Sequence, residues 1–318
     1  MKKVSVINFK GGVGKTTIAF HLACYLSRDS KVLLVDIDHQ SSISLVVLGQ
    51  TLWGKMVKEG LTINKLFESY CNRKINFPGD EIIVFNAMHK KDNRVDIYQN
   101  LDFVSSQFEL DDTEIDLAST VYGTPAVSDW EKRTLIARWL DYIYTNGRNY
   151  DYVIFDCPPA TKIVSQNAIS CSDCFVIPVI PDELSTRGVT HFESLVKNKI
   201  NLKLEHTKQY ARIDDGQCPK NYVSKTALAA IIPYMIKQAG RAASGMTDIH
   251  TNQLNILKNR WGSAVLNTIG KNYIGVPESV SNGWPVWNWG RNSKNVKPNV
   301  IEMMDKICEE LKQRVDAL

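Results

Sequence analysis

Apolar and polar residues follow two patterns along the chain, and together they predict a layered α/β fold. Short β-rich runs bounded by polar residues, typical of strands, occupy residues 3–9, 31–38, 101–104, 152–155, 174–180 and 228–232. The apolar centre of 31–38 is typical of a strand that is covered on both faces. Between the first two runs, apolar residues follow the spacing of one helix face at Ile18, Leu22, Ala23 and Leu26.

The order of these patterns predicts a parallel sheet. A strand, a glycine-rich loop, a helix and a second strand make a βαβ unit, whose two strands lie parallel. Helical spacing recurs over 129–145, where we expect a helix that leads into the strand at 152–155, and over 300–318. We therefore expect a single α/β domain over residues 1–318, built on a mostly parallel twisted sheet with helices on both faces.

Two segments depart from this alternation. Residues 107–128 are polar, acidic and weakly periodic, and we expect a polar insertion or a helical excursion there. Residues 284–289, WPVWNW, are aromatic and are followed by Arg291, Lys294 and Lys297. That stretch could stack on bases or on a partner, but core packing or a dimer contact is the favoured interpretation.

Composition favours a soluble cytoplasmic protein. The chain has 318 residues, 44% apolar and 23% charged, enough to bury a large core. Its first residues do not resemble a signal peptide, and no apolar run approaches the ~20 residues of a membrane helix. Seven cysteines do not suggest a disulfide framework. Cys171 and Cys174 have redox-like or zinc-like spacing, but no second Cys/His pair accompanies them, and we expect both to be structural.

Charge is unevenly distributed along the chain. The net charge is +4, yet residues 182–299 hold 16 Lys and Arg against 8 Asp and Glu, which leaves −4 for the rest. This basic C-terminal third is compatible with a polyanion-binding face, although charge alone favours a solvated surface.

Residues 8–17, NFKGGVGKTT, carry the strongest chemical signal. Gly14, Lys15 and Thr16 form the second half of the phosphate loop G-x-x-x-x-G-K-[ST], but Phe9 stands where its first glycine belongs, and Lys10 follows. In such a loop the backbone N–H groups and the helix dipole hold phosphate, the lysine neutralises β/γ-phosphate charge, and the threonine hydroxyl binds Mg²⁺. We expect nucleotide-binding residues at Gly11, Gly12, Val13, Gly14, Lys15, Thr16, Thr17 and, beyond the loop, Asp156.

Three acidic residues follow predicted strands. Asp36 and Asp38 lie two residues apart, so they project to the same side of the carboxyl edge, where parallel sheets bind ligands. Asp156 ends the apolar run 152–155, the hydrophobic-strand-then-Asp pattern that holds Mg²⁺ in phosphate-loop enzymes. We expect the metal site to comprise Thr16, Asp36 and Asp156.

These residues together resemble the ParA/MinD family of deviant Walker ATPases. The family loop K-G-G-x-G-K-[ST] is present as residues 10–16, the motif D-x-D-P-Q as residues 36–40 with His39 in place of proline, and a hydrophobic run before D-x-P-P as residues 153–159. The likeness covers most of the chain and fades over 190–227. It implies a P-loop NTPase fold of the deviant Walker-A class, with ATP and Mg²⁺ as cofactors.

The resemblance also implies roles for single residues. Lys10 would reach across a nucleotide-sandwich homodimer to the partner's phosphates, as an arginine finger does, so that dimerisation and hydrolysis are coupled. Asp38 would orient the attacking water and, with Lys10 and Lys15, completes the expected catalytic set. His39 leaves the stiffness of the Asp38 loop open, because proline would have fixed φ there.

The favoured function is a cytoplasmic ParA-like ATP hydrolase that dimerises with ATP and binds DNA without sequence specificity. It would act in plasmid or chromosome partition, with hydrolysis stimulated by a ParB-like or other cargo-bound partner protein. The expected DNA-binding residues lie in the basic C-terminal third, in segments with few acids: Arg241, Lys258, Arg260, Lys271 and Arg291.

Two other functions stay open at this point. One is a MinD-like or cargo-positioning ATPase that acts on a membrane or protein scaffold. The acidic residues of the last predicted helix, such as Glu302 and Glu309, argue against the membrane form. The other is a metabolic or electron-transfer enzyme on the same scaffold, such as the nitrogenase iron protein type, which needs cysteines at the dimer axis.

Overall fold

Seven strands form one sheet that is parallel except at one edge. The computed structural model describes residues 1–88, 98–237, 246–289 and 294–318. Within them the strands are β1 Lys2–Val6, β2 Val32–Asp36, β3 Ile83–Val84, β4 Leu101–Val104, β5 Tyr152–Asp156, β6 Cys174–Val179 and β7 Ala227–Pro233. Their order across the sheet is β3-β4-β2-β5-β1-β6-β7, and β3 runs antiparallel to β4 while the other pairs are parallel.

Helices connect the strands and follow the last one. They are α1 Lys15–Leu26, α2 Ser42–Lys58 with a kink at Gly49, α3 Asn64–Cys71, α4 Leu110–Ser119, α5 Pro125–Arg133, α6 Leu135–Thr145, α7 Ile163–Cys171, α8 Glu183–Leu195, α9 Leu202–Tyr210, α10 Asp248–Trp261, α11 Gly275–Ser281, α12 Val286–Trp289 and α13 Pro298–Asp316. A π-helical turn, Val196–Asn201, joins α8 to α9. None of the described helices is long and apolar enough to cross a membrane.

Alternate strand residues supply two apolar cores, one on each face of the sheet. Leu33 and Phe155 pack with residues of α3 to α10, whereas Leu34 and Ile154 pack with residues of α1, α2 and α11 to α13. Both cores consist largely of fully buried aliphatic and aromatic side chains. The predicted fold class, a mostly parallel sheet with helices on both faces, is confirmed.

The helical spacing over 129–145 covers two helices. Thr134 separates them with φ −120° and ψ 16°, and its hydroxyl donates a hydrogen bond to the Trp130 carbonyl at 2.9 Å. Trp130 and Trp139 are both fully buried, so each helix keeps an anchor in the same core. The apolar faces of both helices therefore stay buried across the break.

The polar segment 107–128 holds α4 and the start of α5, and a buried lysine fastens it. The Lys132 ammonium donates to three carbonyls near the end of α4, those of Leu117, Ala118 and Thr120, at 3.1–3.2 Å. These carbonyls lie where a helix has unpaired acceptors and a negative dipole end, so a cation there satisfies both. Cys171 and Cys174 are buried and free, in agreement with the structural role expected for them.

The C-terminal segments pack onto α1, the helix that follows the phosphate loop. Fully buried His21 donates from Nδ1 to the Thr17 carbonyl at 2.8 Å and accepts the Val286 N–H at Nε2 at 3.3 Å. This pairing fixes one neutral tautomer, and burial lowers the pKa of His21 to about 4. Trp287 packs edge-on against the same ring. The described part of the aromatic stretch therefore packs against the body of the protein.

A tyrosine ring fixes the phosphate loop from the side of β7. A Cβ atom on Gly14 would lie 2.5 Å from Tyr234 Cδ1, and one on Gly270 would lie 2.1 Å from Tyr234 Cδ2. Tyr234 is itself buried, and the Gly270 N–H is tied to the Pro233 carbonyl at 2.8 Å. The ring is thus held between two glycines, one of which belongs to the loop.

We expect Gly270→Ala to lower the free energy of unfolding by about 1–3 kcal/mol, because the new methyl group forces the ring towards Gly14. Nucleotide affinity should fall with it. Gly54→Ala is the matched control, since Gly54 lies in α2 with nothing within 4 Å of the added methyl and should gain up to about 1 kcal/mol. Urea unfolding of both variants checks this, and equal stabilities would contradict the packing described for Tyr234.

Candidate functional site

Three strand ends bring the candidate residues to one edge of the sheet. Both β1 and β2 pair with β5 in parallel, so Val6 and Asp36 lie on either side of Asp156. The phosphate loop follows β1 directly and ends at the start of α1. The loop, Asp36 and Asp156 therefore meet at the carboxyl edge, where parallel sheets bind their ligands.

The phosphate loop ends at Lys15, whose ammonium group is turned back towards the loop. Gly14 has φ 92°, a left-handed conformation that favours glycine, and Lys15 begins the helix. The first N–H groups of a helix lack intrahelical partners and attract anions. The Lys15 ammonium donates to the Lys10 carbonyl at 3.3 Å. Burial lowers the pKa of Lys15 below its usual value, and the nearby carboxylates of Asp156 and Asp38 offset only part of this shift.

Asp156 is a buried carboxylate with unused oxygens. It is 1% exposed, and neither of its oxygens has a hydrogen-bond partner among the residues that the structure describes. Burial raises the pKa of Asp156, and the Thr16 hydroxyl and the Lys15 ammonium lower it in part. A buried acid without partners is costly unless a cation joins it. The donor set of Asp156 and Thr16 fits Mg²⁺, which prefers oxygen ligands.

Asp36 has a different use from Asp156. It is fully buried, and Ser44 donates to its Oδ2 from both the backbone N–H (3.1 Å) and the hydroxyl (2.6 Å). The Asp38 N–H donates to Oδ1 at 2.9 Å. Burial and the neighbouring Asp156 raise the pKa of Asp36 well above its usual value. Asp36 therefore fixes the start of α2. Its place in the metal site stays a prediction, and both of its oxygens are already hydrogen-bonded, so it would support the Mg²⁺ site through these contacts.

The Asp38 loop is held by hydrogen bonds where the family motif has proline. The Asp38 carbonyl accepts the Ser106 hydroxyl at 2.7 Å and the Ser41 N–H at 2.9 Å, while its side chain accepts the Gln40 N–H at 3.0 Å. His39 Nδ1 lies 3.7 Å from the Asp38 carboxylate. These contacts supply the stiffness that His39 left open.

The side chains of Lys10 and Phe9 contact α8 and the residue that precedes it. The Lys10 ammonium lies 2.5 Å from Asp182 Oδ2 and 3.2 Å from the Ser185 hydroxyl. The Phe9 ring packs edge-on against Phe192 at a centroid distance of 5.1 Å. The Lys10 side chain is thus bound at the start of α8, whereas the Lys15 ammonium contacts the Lys10 carbonyl within the loop.

The candidate DNA-binding residues are separate from this edge in sequence and only partly described. Lys258 and Arg260 lie exposed in the last turn of α10, Arg260 over the ring of Trp261, and Lys271 is exposed in the following loop. Arg241 and Arg291 lie outside the described residues.

Sequence reasoning missed four residues that support the site, namely Ser44, Ser106, Asp182 and Tyr234. Each contacts a predicted residue from a different part of the chain. Asp182 had a detectable signal, because an acid that follows a strand at the carboxyl edge belongs beside the ligand site. Ser44 lies only eight residues from Asp36, but no sequence pattern marks its contact, whereas Ser106 and Tyr234 reach the site from segments distant in sequence.

Comparisons with known proteins agree with this geometry. The model of the AAA_31 family, described as AAA domain, matches residues 1–208. Sporulation initiation inhibitor protein Soj of Bacillus subtilis is 29% identical over 198 residues, which is 62% of this chain and 65% of Soj. Chromosome partitioning protein ParA of Myxococcus xanthus is 29% identical over 208 residues, which is 64% of this chain and 62% of that protein. Both alignments span less than two thirds of the relative's length.

A solved relative has the same fold. The ATP complex of McdA from Cyanothece matches with a TM-score of 0.64 at 16% identity, covering 99% of this chain and 96% of that one. The family model covers well over half of the chain, and the sequence relatives and the shared fold agree with it. The chain belongs to the AAA_31 family and is a ParA/MinD-type P-loop ATPase.

Proposed function

We propose that this protein binds ATP with Mg²⁺, dimerises around the nucleotide, hydrolyses it, and binds DNA non-specifically in plasmid or chromosome partition. The observation that carries the proposal is a glycine loop with two lysines: Lys15 lies near the buried Asp156, while the Lys10 side chain reaches Asp182 at the start of α8. Lys15 would neutralise phosphate charge in its own site, and Lys10 would act on the phosphates of the partner.

The chain's own residues account for phosphate binding. Backbone N–H groups of residues 11–17 surround the phosphates, and Lys15 neutralises β/γ charge within a buried, low-dielectric site. Thr16 and Asp156 would hold Mg²⁺, which supplies charge neutralisation at the phosphoryl oxygens. Asp36 acts through its hydrogen bonds to Ser44 and Asp38, which set the start of α2.

Asp38 is the residue that would position the attacking water. Its carbonyl and one carboxylate oxygen are fixed by Ser41, Ser106 and Gln40. A fixed carboxylate next to the phosphate loop can accept a hydrogen bond from water and align it with the phosphoryl group. The side chain is 14% exposed, so solvent reaches it.

Lys10 couples hydrolysis to dimerisation in this proposal. A cation supplied by the second subunit stabilises charge on the transferring phosphoryl group only when the two subunits meet. Dimerisation would also bring two basic C-terminal thirds together on one assembly. Site-specific recognition of the cargo then falls to a ParB-like or other partner protein bound to it.

Replacing each of the two lysines should have a different effect. Lys15→Ala should abolish ATP binding, because the loop loses its phosphate cation. Lys10→Ala should bind ATP normally yet lose ATP-dependent dimerisation and slow hydrolysis by about 10³-fold or more. Calorimetry, analytical ultracentrifugation and phosphate release measure the three properties. Lys65→Ala, which removes only a partly exposed ion pair with Glu81, is the control. Normal hydrolysis by the Lys10 variant would refute the role in trans.

Asp38→Ala should trap the ATP-bound dimer, because the water loses its orienting carboxylate while Lys15, Thr16 and Asp156 are unchanged. In size-exclusion chromatography with ATP, we expect a persistent dimer and a hydrolysis rate reduced by about 10²-fold or more. The parent protein should return to monomer as ATP is consumed. A variant that stays monomeric with ATP would show that Asp38 serves the fold instead.

DNA should bind the ATP dimer better than the ADP form, because two basic faces neutralise about twice as many phosphates. Log affinity falls with log salt at ~0.9 per phosphate, so the ATP form should also show the steeper salt dependence. Gel shifts on unrelated duplexes at two salt concentrations measure both effects. Joint replacement of Lys258 and Arg260 by Ala should weaken binding, whereas Lys306→Ala, in an ion pair with Glu302 on α13, should not. Equal, salt-insensitive binding in both nucleotide states would exclude the DNA function and favour the cargo-scaffold alternative.

A further inference from the structure

An ion pair holds Lys10 within its own subunit. The ammonium lies 2.5 Å from Asp182 Oδ2 and 3.2 Å from the Ser185 hydroxyl, both at the start of α8. Asp182 lies 172 residues from Lys10 in sequence, so this is a tertiary contact between the phosphate loop and a helix on one face of the sheet. A lysine destined for the partner's phosphates is therefore bound to a carboxylate of its own chain.

Asp182 serves two groups with its two oxygens. Oδ2 binds Lys10, while Oδ1 accepts the Ser185 N–H at 2.7 Å and caps the N-terminus of α8. Burial raises the pKa of Asp182, but the Lys10 ammonium and the Ser185 hydrogen bonds outweigh it and hold the pKa below its usual value. The carboxylate is ionised at neutral pH and fixed in direction by its own helix.

Phe9 supports the same arrangement. Its ring packs against Phe192 at 5.1 Å and His191 at 5.6 Å, both on α8. Phe9 occupies the position at which an ordinary phosphate loop has glycine. Two successive residues, one aromatic and one cationic, thus attach the beginning of the loop to α8.

We propose that Asp182 is the positioning residue for Lys10: it holds the ammonium in cis in the nucleotide-free subunit and releases it to the phosphates of a second copy of this chain. The inference rests on the proposed function, since it assumes that Lys10 acts across a dimer. It adds a competition between one carboxylate in cis and a triphosphate in trans for the same cation. Only a nucleotide that carries the charge of a γ-phosphate attracts Lys10 strongly enough to break its ion pair with Asp182.

The strength of this ion pair follows from the solvent exposure of its two side chains. The side chains of Lys10 and Asp182 are 38% and 32% exposed, so solvent screens the pair. Such a contact is weak enough for phosphate charge to displace and strong enough to bias the resting position. Removing it should tighten the ATP-dependent dimer about two- to five-fold, the change that partly exposed ion pairs produce.

Asp182→Asn tests the proposal, because asparagine caps a helix as well as aspartate does but carries no charge. With a non-hydrolysable ATP analogue, the dimer dissociation constant from analytical ultracentrifugation should fall two- to five-fold. With ADP both proteins should stay monomeric. Glu183→Gln is the matched control, since it removes the adjacent charge, whose partner is Arg187, and should leave the constant unchanged. An unchanged or weaker dimer in Asp182→Asn would overturn the proposal.

A double-mutant cycle separates this inference from the proposed function. Lys10→Met, Asp182→Asn and the double variant are unfolded in urea without nucleotide. We expect a coupling of two- to five-fold in the unfolding equilibrium constant, because the pair exists in the resting subunit. If the parent never dimerises with ATP, the proposed function fails while the coupling still reports the contact. No coupling, with a parent that dimerises, overturns the holding role alone.

Discussion

Two carboxylates buried side by side, Asp36 and Asp156 at the paired ends of neighbouring parallel strands, are the constraint to which the rest of the site responds. Two unpaired negative charges in one dry position would be strongly destabilising. The chain itself stabilises one of the two carboxylates, because Ser44 and the Asp38 N–H donate hydrogen bonds to both oxygens of Asp36. Asp156 is left with the Lys15 ammonium nearby, so the site is electrostatically incomplete until cations and phosphate enter.

Much of this could be predicted from the sequence, because the strands carry their own signal. Six of the seven strands are apolar runs long enough to detect, and the glycine loop and the acids at the strand ends can be detected as well. The sequence does not reveal β3, because two residues show no periodicity. It does not reveal the break at Thr134 either, because the helical spacing continues across it. The contacts of Asp182, Ser106 and Tyr234 depend on packing between distant segments, which register and loop geometry decide.

The C-terminal third is mechanically joined to the phosphate loop. Tyr234 lies against Gly14. The hydrogen bond from the Val286 N–H to His21 connects α1, the helix that follows the phosphate loop, to the aromatic stretch. Glu310 of α13 accepts backbone N–H groups of Asn267 and Thr268, close in sequence to Gly270. Segments that lie beyond the residues matched by the family model, 1–208, therefore support the phosphate loop within them.

The two edges of the sheet decide how copies of this chain can meet. On one side β3 offers only two residues, and on the other β7 is followed by backbone hydrogen bonds from Leu266 and Gly270 to Ile231 and Pro233. Short or covered edges resist pairing with another chain's strand. Among the described residues, then, self-association is left to loops and helices. Contacts of that kind open and close without unfolding, so the dimer proposed above would come apart at each nucleotide cycle instead of growing into a permanent cross-β fibre.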